Sequence, residues 1–361
     1  MRIGLIDADL LWGNYAKGRR YGNTKADIFP NLVLMKLFAY HKQRGDEVLM
    51  YMGLEEYDRV YVSKVFSTTP VERQVIFAKE VYFGGSGFCI DLVDGKEIYR
   101  HPEVNPFTLQ RMTECTVAGR GYQAYEETNE QVFIYCSELP NEIEHIMPDY
   151  SIYPTNKDTA YGFLTRGCPR GCSFCHVEAK EGKRSYKVAN LSEWWSGQKN
   201  IVLCDPNIFA CRQWKDLLQQ LADSKAKVDI NQGMDARLLT PQKVEMLNKI
   251  RLSTIHFAWD DYKQKDKVLN GLKCFADNFH RKLDKGHFAQ VFVLTNFNTT
   301  REQDLERIYT LRDMGFEPYV MVYDKQHADS FYKSLQRWVN MRAIFHRIKT
   351  FDEYNRRKAK E

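Results

Sequence analysis

Tyr161-Gly162-Phe163-Leu164-Thr165-Arg166-Gly167-Cys168-Pro169-Arg170-Gly171-Cys172-Ser173-Phe174-Cys175-His176 is the stretch on which the fold turns. Residues 161–165 are a short apolar strand that runs into three cysteines spaced C-x3-C-x2-C. Thiolates this close on one loop can converge on a single metal centre, and Gly167 and Gly171 let the backbone wrap it. Iron–sulfur clusters are held by cysteine thiolates, usually four, so three would leave one iron of a four-iron cluster open. Zinc is the competing reading, because three cysteines with His176 as fourth ligand suit it equally well. That alternative describes a zinc-stabilised binding protein without catalysis. A loop at the end of a strand favours the cluster, and a fourth ligand would close the site. His176 is therefore read as a packing residue near the centre.

Outward from this loop the C-terminal half has a clear period. Strand signals stand at 161–165, 201–204, 228–231, 254–259, 290–295 and 319–323. Helical stretches separate them, at 213–221, 241–250, 301–314 and 328–344; the second is opened by Thr240 as cap and Pro241 in the first turn. Six successive β/α units suffice for most of a (β/α) barrel, whose chemistry sits at the C-terminal strand ends. Polar residues gather at those ends: Asp205-Pro206-Asn207, Asn231-Gln232-Gly233-Met234-Asp235-Ala236-Arg237, Trp259-Asp260-Asp261, Asn296-Phe297-Asn298 and Tyr323-Asp324.

The cysteine loop, with aromatic Phe174 before its last cysteine, resembles the radical S-adenosylmethionine (radical SAM) superfamily. The strand order over roughly residues 150–323 resembles it too. The resemblance implies an α/β fold with a partial (β/α)6 TIM-like barrel. It implies a 4Fe–4S cluster on Cys168, Cys172 and Cys175 whose open iron chelates S-adenosylmethionine. Electron transfer then gives methionine and a 5′-deoxyadenosyl radical, with flavodoxin or ferredoxin as the kind of electron donor. It also implies that Phe174 and the strand-end residues bind the cofactor. Asp205 would meet the amino group, Arg237 the carboxylate as a bidentate fork, and Gln232 or Asp260 the ribose; Asn296 belongs to the same set. No Gly-Gly-Glu follows the second strand, where Asp205 stands instead. Each residue also has a scaffold reading: Asp205 as a helix cap, Asp260 in a turn, Arg237 in an ion pair.

The first 90 residues read as a Rossmann-like open sheet. Strands are expected at 2–6, 47–52, 59–65 and 81–83, and helices at 30–44, stopped by Gly45, and at 71–79. GxGxxG is absent, so dinucleotide binding is not indicated. Placed before a radical SAM barrel, such a domain resembles the cobalamin-binding domains of cobalamin-dependent members. It lacks Asp-x-His-x-x-Gly, and a cofactor-free domain is the competing reading. Residues 91–150 read as an insertion and linker with a hairpin turn at Asp94-Gly95. The barrel then covers 151–326 and a basic helical tail 327–361. Cobalamin-dependent methyl transfer and RNA modification are the alternatives within the superfamily.

Composition sets the outer bounds. The chain has 361 residues, 43% hydrophobic and 27% charged, which excludes disordered, collagen-like and coiled-coil classes. Nine cysteines are an odd number and too few for a disulfide scaffold in so long a chain. The N-terminus lacks an apolar signal stretch and no run spans a membrane, so a cytoplasmic protein without membrane partners is expected. Cys89, Cys115 and Cys136 do not match a second-cluster spacing and read as ordinary thiols, as do Cys204, Cys211 and Cys274. Trp194 and Trp195 read as packing residues, and 180–184 as a solvated basic loop. The tail from Arg337 to Glu361 carries eight Lys and Arg against three acids. No RNA-binding module accompanies it, so nucleic acid stays an unsupported partner.

Overall fold

The computed structural model describes residues 1–12, 29–72, 75–93, 96–99, 114–118, 121–127, 131–136, 138–283 and 288–358, and of 92, 114–118, 121–127 and 356–358 the backbone only. The chain forms two compact units. One comprises 1–161 with 174–176 and 192–198; the other comprises 162–173, 177–191 and 199–361.

The first unit holds β1 (Arg2–Asp7), β2 (Glu47–Met50), β3 (Tyr57–Ser63), β4 (Ala78–Gly84), the hairpin β5 (Ile90–Val93) and β6 (Lys96–Tyr99), β7 (Glu114–Ala118), β8 (Gly121–Glu127) and β9 (Val132–Cys136). Seven of these make one sheet in the order β2-β1-β3-β4-β9-β8-β7. The first five pair parallel, and β8 and β7 add antiparallel. Ile3 and Leu5 of β1 are fully buried, as a central parallel strand covered on both faces requires. They share a core with Leu34 and Leu37 of the helix Leu32–Gln43. Asn31 caps that helix, its Oδ1 accepting from Leu34 N at 3.3 Å. A parallel open α/β sheet is what the Rossmann-like reading expected.

Two expectations for this half change. The helix over 71–79 does not form: Ala78 and Lys79 open β4. Val75, Ile76 and Phe77 are 38%, 2% and 53% exposed, an alternation of period two rather than a helical stripe. Residues 73–74 lie outside the described residues. Residues beyond 90 are also no separate insertion. β9 pairs with β4, setting Phe83 opposite Tyr135 with their rings stacked 5.0 Å apart, so the sheet extends to Cys136. Asp94-Gly95 lies outside the described residues, and the strands on either side pair antiparallel with Val93 opposite Lys96.

In the second half come β10 (Thr159–Gly162), β11 (Thr165–Arg166), β12 (Tyr186–Lys187), β13 (Asn200–Leu203), β14 (Lys227–Met234), β15 (Leu252–Ala258), β16 (Ala289–Thr295) and β17 (Glu317–Val322). Six form an open sheet in sequential order, β10-β13-β14-β15-β16-β17, with β10 and β17 as its edges. From β13 onward neighbours pair parallel. The helices Trp214–Ser224, Pro241–Lys249, Lys265–Asn278 and Arg301–Asp313 separate them. Thr240 caps the second, and Thr300 with Gln303 closes a capping box on the fourth. All six expected strands exist, but 161–165 divides: the sheet strand ends at Gly162, and Thr165–Arg166 pairs with Tyr186–Lys187 instead. Lys265–Asn278 is a helix that the sequence reading left unnamed.

The expected helix at 328–344 is two, Ser330–Asn340 and Arg342–Arg347, broken at Met341. Trp338, Val339, Phe345, Phe351 and Tyr354 pack on Ile308 and Val320. These aromatic residues make the C-terminal segment part of the core, despite its basic composition. Among the described residues no helix is long and apolar enough to cross a membrane.

Candidate functional site

The cysteine loop is clamped at its base. β11 leads into it, and Cys168 N donates to Gly182 O at 3.2 Å. The Glu181 carboxylate accepts from Arg166 Nη1 at 2.8 Å and Gly167 N at 3.0 Å. Gly167 sits at φ +77°, where a Cβ would lie 2.1 Å from Arg184 O; no other residue fits without moving that backbone. Gly171, at φ +58°, would place its Cβ 2.2 Å from Glu178 Oε2. The segment 180–184, read as solvated, therefore supplies the backbone and carboxylate against which the loop is folded.

Above that base the second unit gathers groups from several strand ends. Cys172 is half-buried, and desolvation pushes its thiol pKa up; Asp260, Cys168 and Asp235 add to the shift while Arg237 opposes it. These groups therefore share one electrostatic neighbourhood. Arg237 forks onto Asp235, with Nε to Oδ1 at 2.7 Å and Nη2 to Oδ2 at 3.2 Å. Arg170 also donates to Asp235. Two guanidinium groups share the Asp235 carboxylate. Arg237 Nη1 has no partner among the described residues.

The other strand-end residues vary in availability. Asp205 is 3% exposed and accepts from Leu164 N and Thr165 Oγ1, both at 2.7 Å. Burial raises its pKa to about 7, and its contacts tie the end of β13 to the segment before the loop. Asp260 accepts from Leu294 N at 3.2 Å, and desolvation raises its pKa to about 6. Asn296 adopts φ +62° after β16 and donates to Tyr323 O at 2.9 Å. Gln232 is exposed near the end of β14, in a register shift between Ile230 and Met234. Phe174 and Cys175 are half-buried and group with the first unit. His176 Nδ1 meets Glu97 Oε2 at 2.5 Å.

Among the described residues no three or more His, Cys, Asp or Glu side chains stand together in a metal-holding arrangement. What fits an iron–sulfur cluster is the chemistry of the donors. Soft thiols sit on a tightly wrapped loop, and a carboxamide N–H reaches one sulfur.

Three participants were not singled out from the sequence as site residues. Asp235 was legible only as a neighbour of Arg237, and Arg170 only as part of the loop. Asn207, 3% exposed, donates from Nδ2 to Cys168 Sγ at 3.5 Å. A buried pair supports these strand ends: Arg307 donates to Trp259 O at 2.6 Å, to Leu294 O at 2.7 Å and to Asp304, joining the ends of β15 and β16. Its i,i+3 spacing on one helix was the available signal.

The remaining described thiols are of another kind. Burial raises Cys204 and Cys136 to about 12, and Cys89 and Cys211 are buried. The side chain of Cys115 lies outside the described residues. In the first unit, a small cleft at the C-terminal ends of β1 and β3 is lined by Asp7, Asp9, Leu10, Phe29, Asn31, Val65 and Phe66. That is the position where open α/β sheets bind ligands. No protein-family model matches the chain, and no curated protein matches it.

Proposed function

We propose that this protein is a radical SAM enzyme. Cys168, Cys172 and Cys175 would hold a 4Fe–4S cluster, and the six sequential strands would form the partial (β/α)6 barrel around it. The observation that carries the reading is the company Cys172 keeps: Cys168 from its own loop, Asp235 and Arg237 after β14, and Asp260 after β15. A barrel cofactor is gripped from several strand ends in this way.

The cluster, when bound, supplies the electron that cleaves the sulfonium of S-adenosylmethionine. The chain's own residues bind and orient. The unpartnered Nη1 of Arg237 is the donor for the cofactor's carboxylate, the rest of the guanidinium being fixed by Asp235. Arg237 is the cation that opposes the upward shift of the Cys172 thiol, and Asp235 holds both it and Arg170 in place. Asp260, beside Cys172, would offer its carboxyl to the ribose hydroxyls. Asp205 acts through the loop, because both of its oxygens accept from 164–165.

The test is anaerobic reconstitution of the full chain, followed by iron and sulfide analysis and incubation with dithionite and S-adenosylmethionine. Expected are about four iron and four sulfide per chain, with methionine and 5′-deoxyadenosine as products. One tightly bound zinc with no sulfide would overturn the reading.

A further inference from the structure

Asn207 follows β13 and is held by its own backbone: its carbonyl accepts from Ser185 Oγ at 2.9 Å and from Ala210 N at 3.2 Å. Its side chain is buried, at 3% exposure. Nδ2 donates to Cys168 Sγ at 3.5 Å, while Oδ1 is buried with no partner among the described residues. An unpaired buried carbonyl costs about 1–3 kcal/mol, so this carboxamide is not placed there for stability. A thiolate can only accept, and the carboxamide meets it with the N–H donor that a ligated sulfur requires.

We infer that Asn207 is a positioning residue that sets the reduction potential of the cluster through its N–H···S bond to Cys168. The inference rests on the radical SAM reading. A hydrogen bond to a ligating sulfur withdraws negative charge from it and stabilises the reduced, more electron-rich cluster. The burial that isolates Asn207 from water strengthens the bond and keeps its geometry fixed.

The experiment compares the reconstituted wild-type chain with Asn207→Leu, which keeps the volume and removes the donor. Iron and sulfide content come first. Wild type without a cluster sinks the functional reading itself. With clusters in both, redox titration followed by electron paramagnetic resonance should show the variant with about a tenfold lower ratio of reduced to oxidised cluster at a fixed applied potential. That is ~59 mV more negative for one electron. Equal potentials at equal cluster content overturn the inference and leave the functional reading standing. If Asn207→Leu fails to fold, wild type decides alone. Asparagine labelled with 15N at the side-chain amide should give a hyperfine coupling in the reduced cluster, and its absence overturns the inference.

Discussion

Both units set polar groups at the C-terminal ends of parallel strands, and they differ in what is left unspent there. In the first unit Asp7 accepts from Tyr153 Oη at 2.7 Å and Leu10 N at 3.2 Å. Asp9 accepts from Val65 N at 2.7 Å and Thr69 Oγ1 at 2.6 Å. Asn31 and Ser63 bond to each other. The polar groups of that strand end thus serve one another. In the second unit Asp205 is used the same way, but Arg237 Nη1 and Asn207 Oδ1 are left over beside two thiols. Polarity at a strand end is a common property of open α/β sheets. Unspent hydrogen-bonding capacity around soft nucleophiles is what separates one end from the other.

The comparison breaks most decisively at the cysteines. Cys172→Ala should reduce iron incorporation to background, whereas Cys136→Ala in the first unit should leave it unchanged. Iron analysis after anaerobic reconstitution checks both, and equal losses would erase the distinction between the units. Proton linkage gives the next largest effect. Burial raises the folded-state pKa of Asp205 to about 7 and of Asp7 to about 6. The stability each contributes is fully present below about pH 4 and is lost as pH rises through those values. At 1.36 kcal/mol per unit, the loss is on the order of 4 kcal/mol for Asp205 and 3 for Asp7. Urea unfolding between pH 4 and 8 should show Asp205→Asn flattening the profile up to about pH 7, and Asp7→Asn only up to about 6. Coincident profiles would contradict the difference in burial.

The smallest effect sharpens the comparison at two glycines with nearly equal φ. Gly45 in the first unit, at +78°, would present a Cβ to open space; Gly167 in the second, at +77°, would drive it into Arg184 O. Gly45→Ala should cost about 1 kcal/mol, for backbone conformation alone. Gly167→Ala should cost about 3 kcal/mol, because overpacking adds to it. Chemical denaturation measures both, and similar costs would mean that the loop is not clamped against 181–184.

Much of the architecture was legible in the chain. Six strand segments of the second half, the Thr240 cap and the helix ending before Gly45 are local signals of period, cap chemistry and stop residues. The failures had both local and long-range causes. Val75, Ile76 and Phe77 alternate with a strand's period that a short apolar run disguised. The strand Val132–Cys136 looked isolated because its partner, Ala78–Gly84, is about fifty residues away in the chain. The aromatic residues after Trp338 were hidden by the lysines and arginines around them.

For the candidate site, residue order alone determined three closely spaced thiols, two glycines able to wrap them, and polar residues at successive strand ends. Spacing along a chain conveys which donors are present on one loop. It does not convey which of them remain free. Only the tertiary structure decided that Arg237 is fixed by Asp235, that both oxygens of Asp205 are spent on 164–165, and that Asn207 reaches Cys168. The Asp205 and Asn207 bonds span about forty residues, and even the local Arg237–Asp235 fork is settled by burial and direction in space.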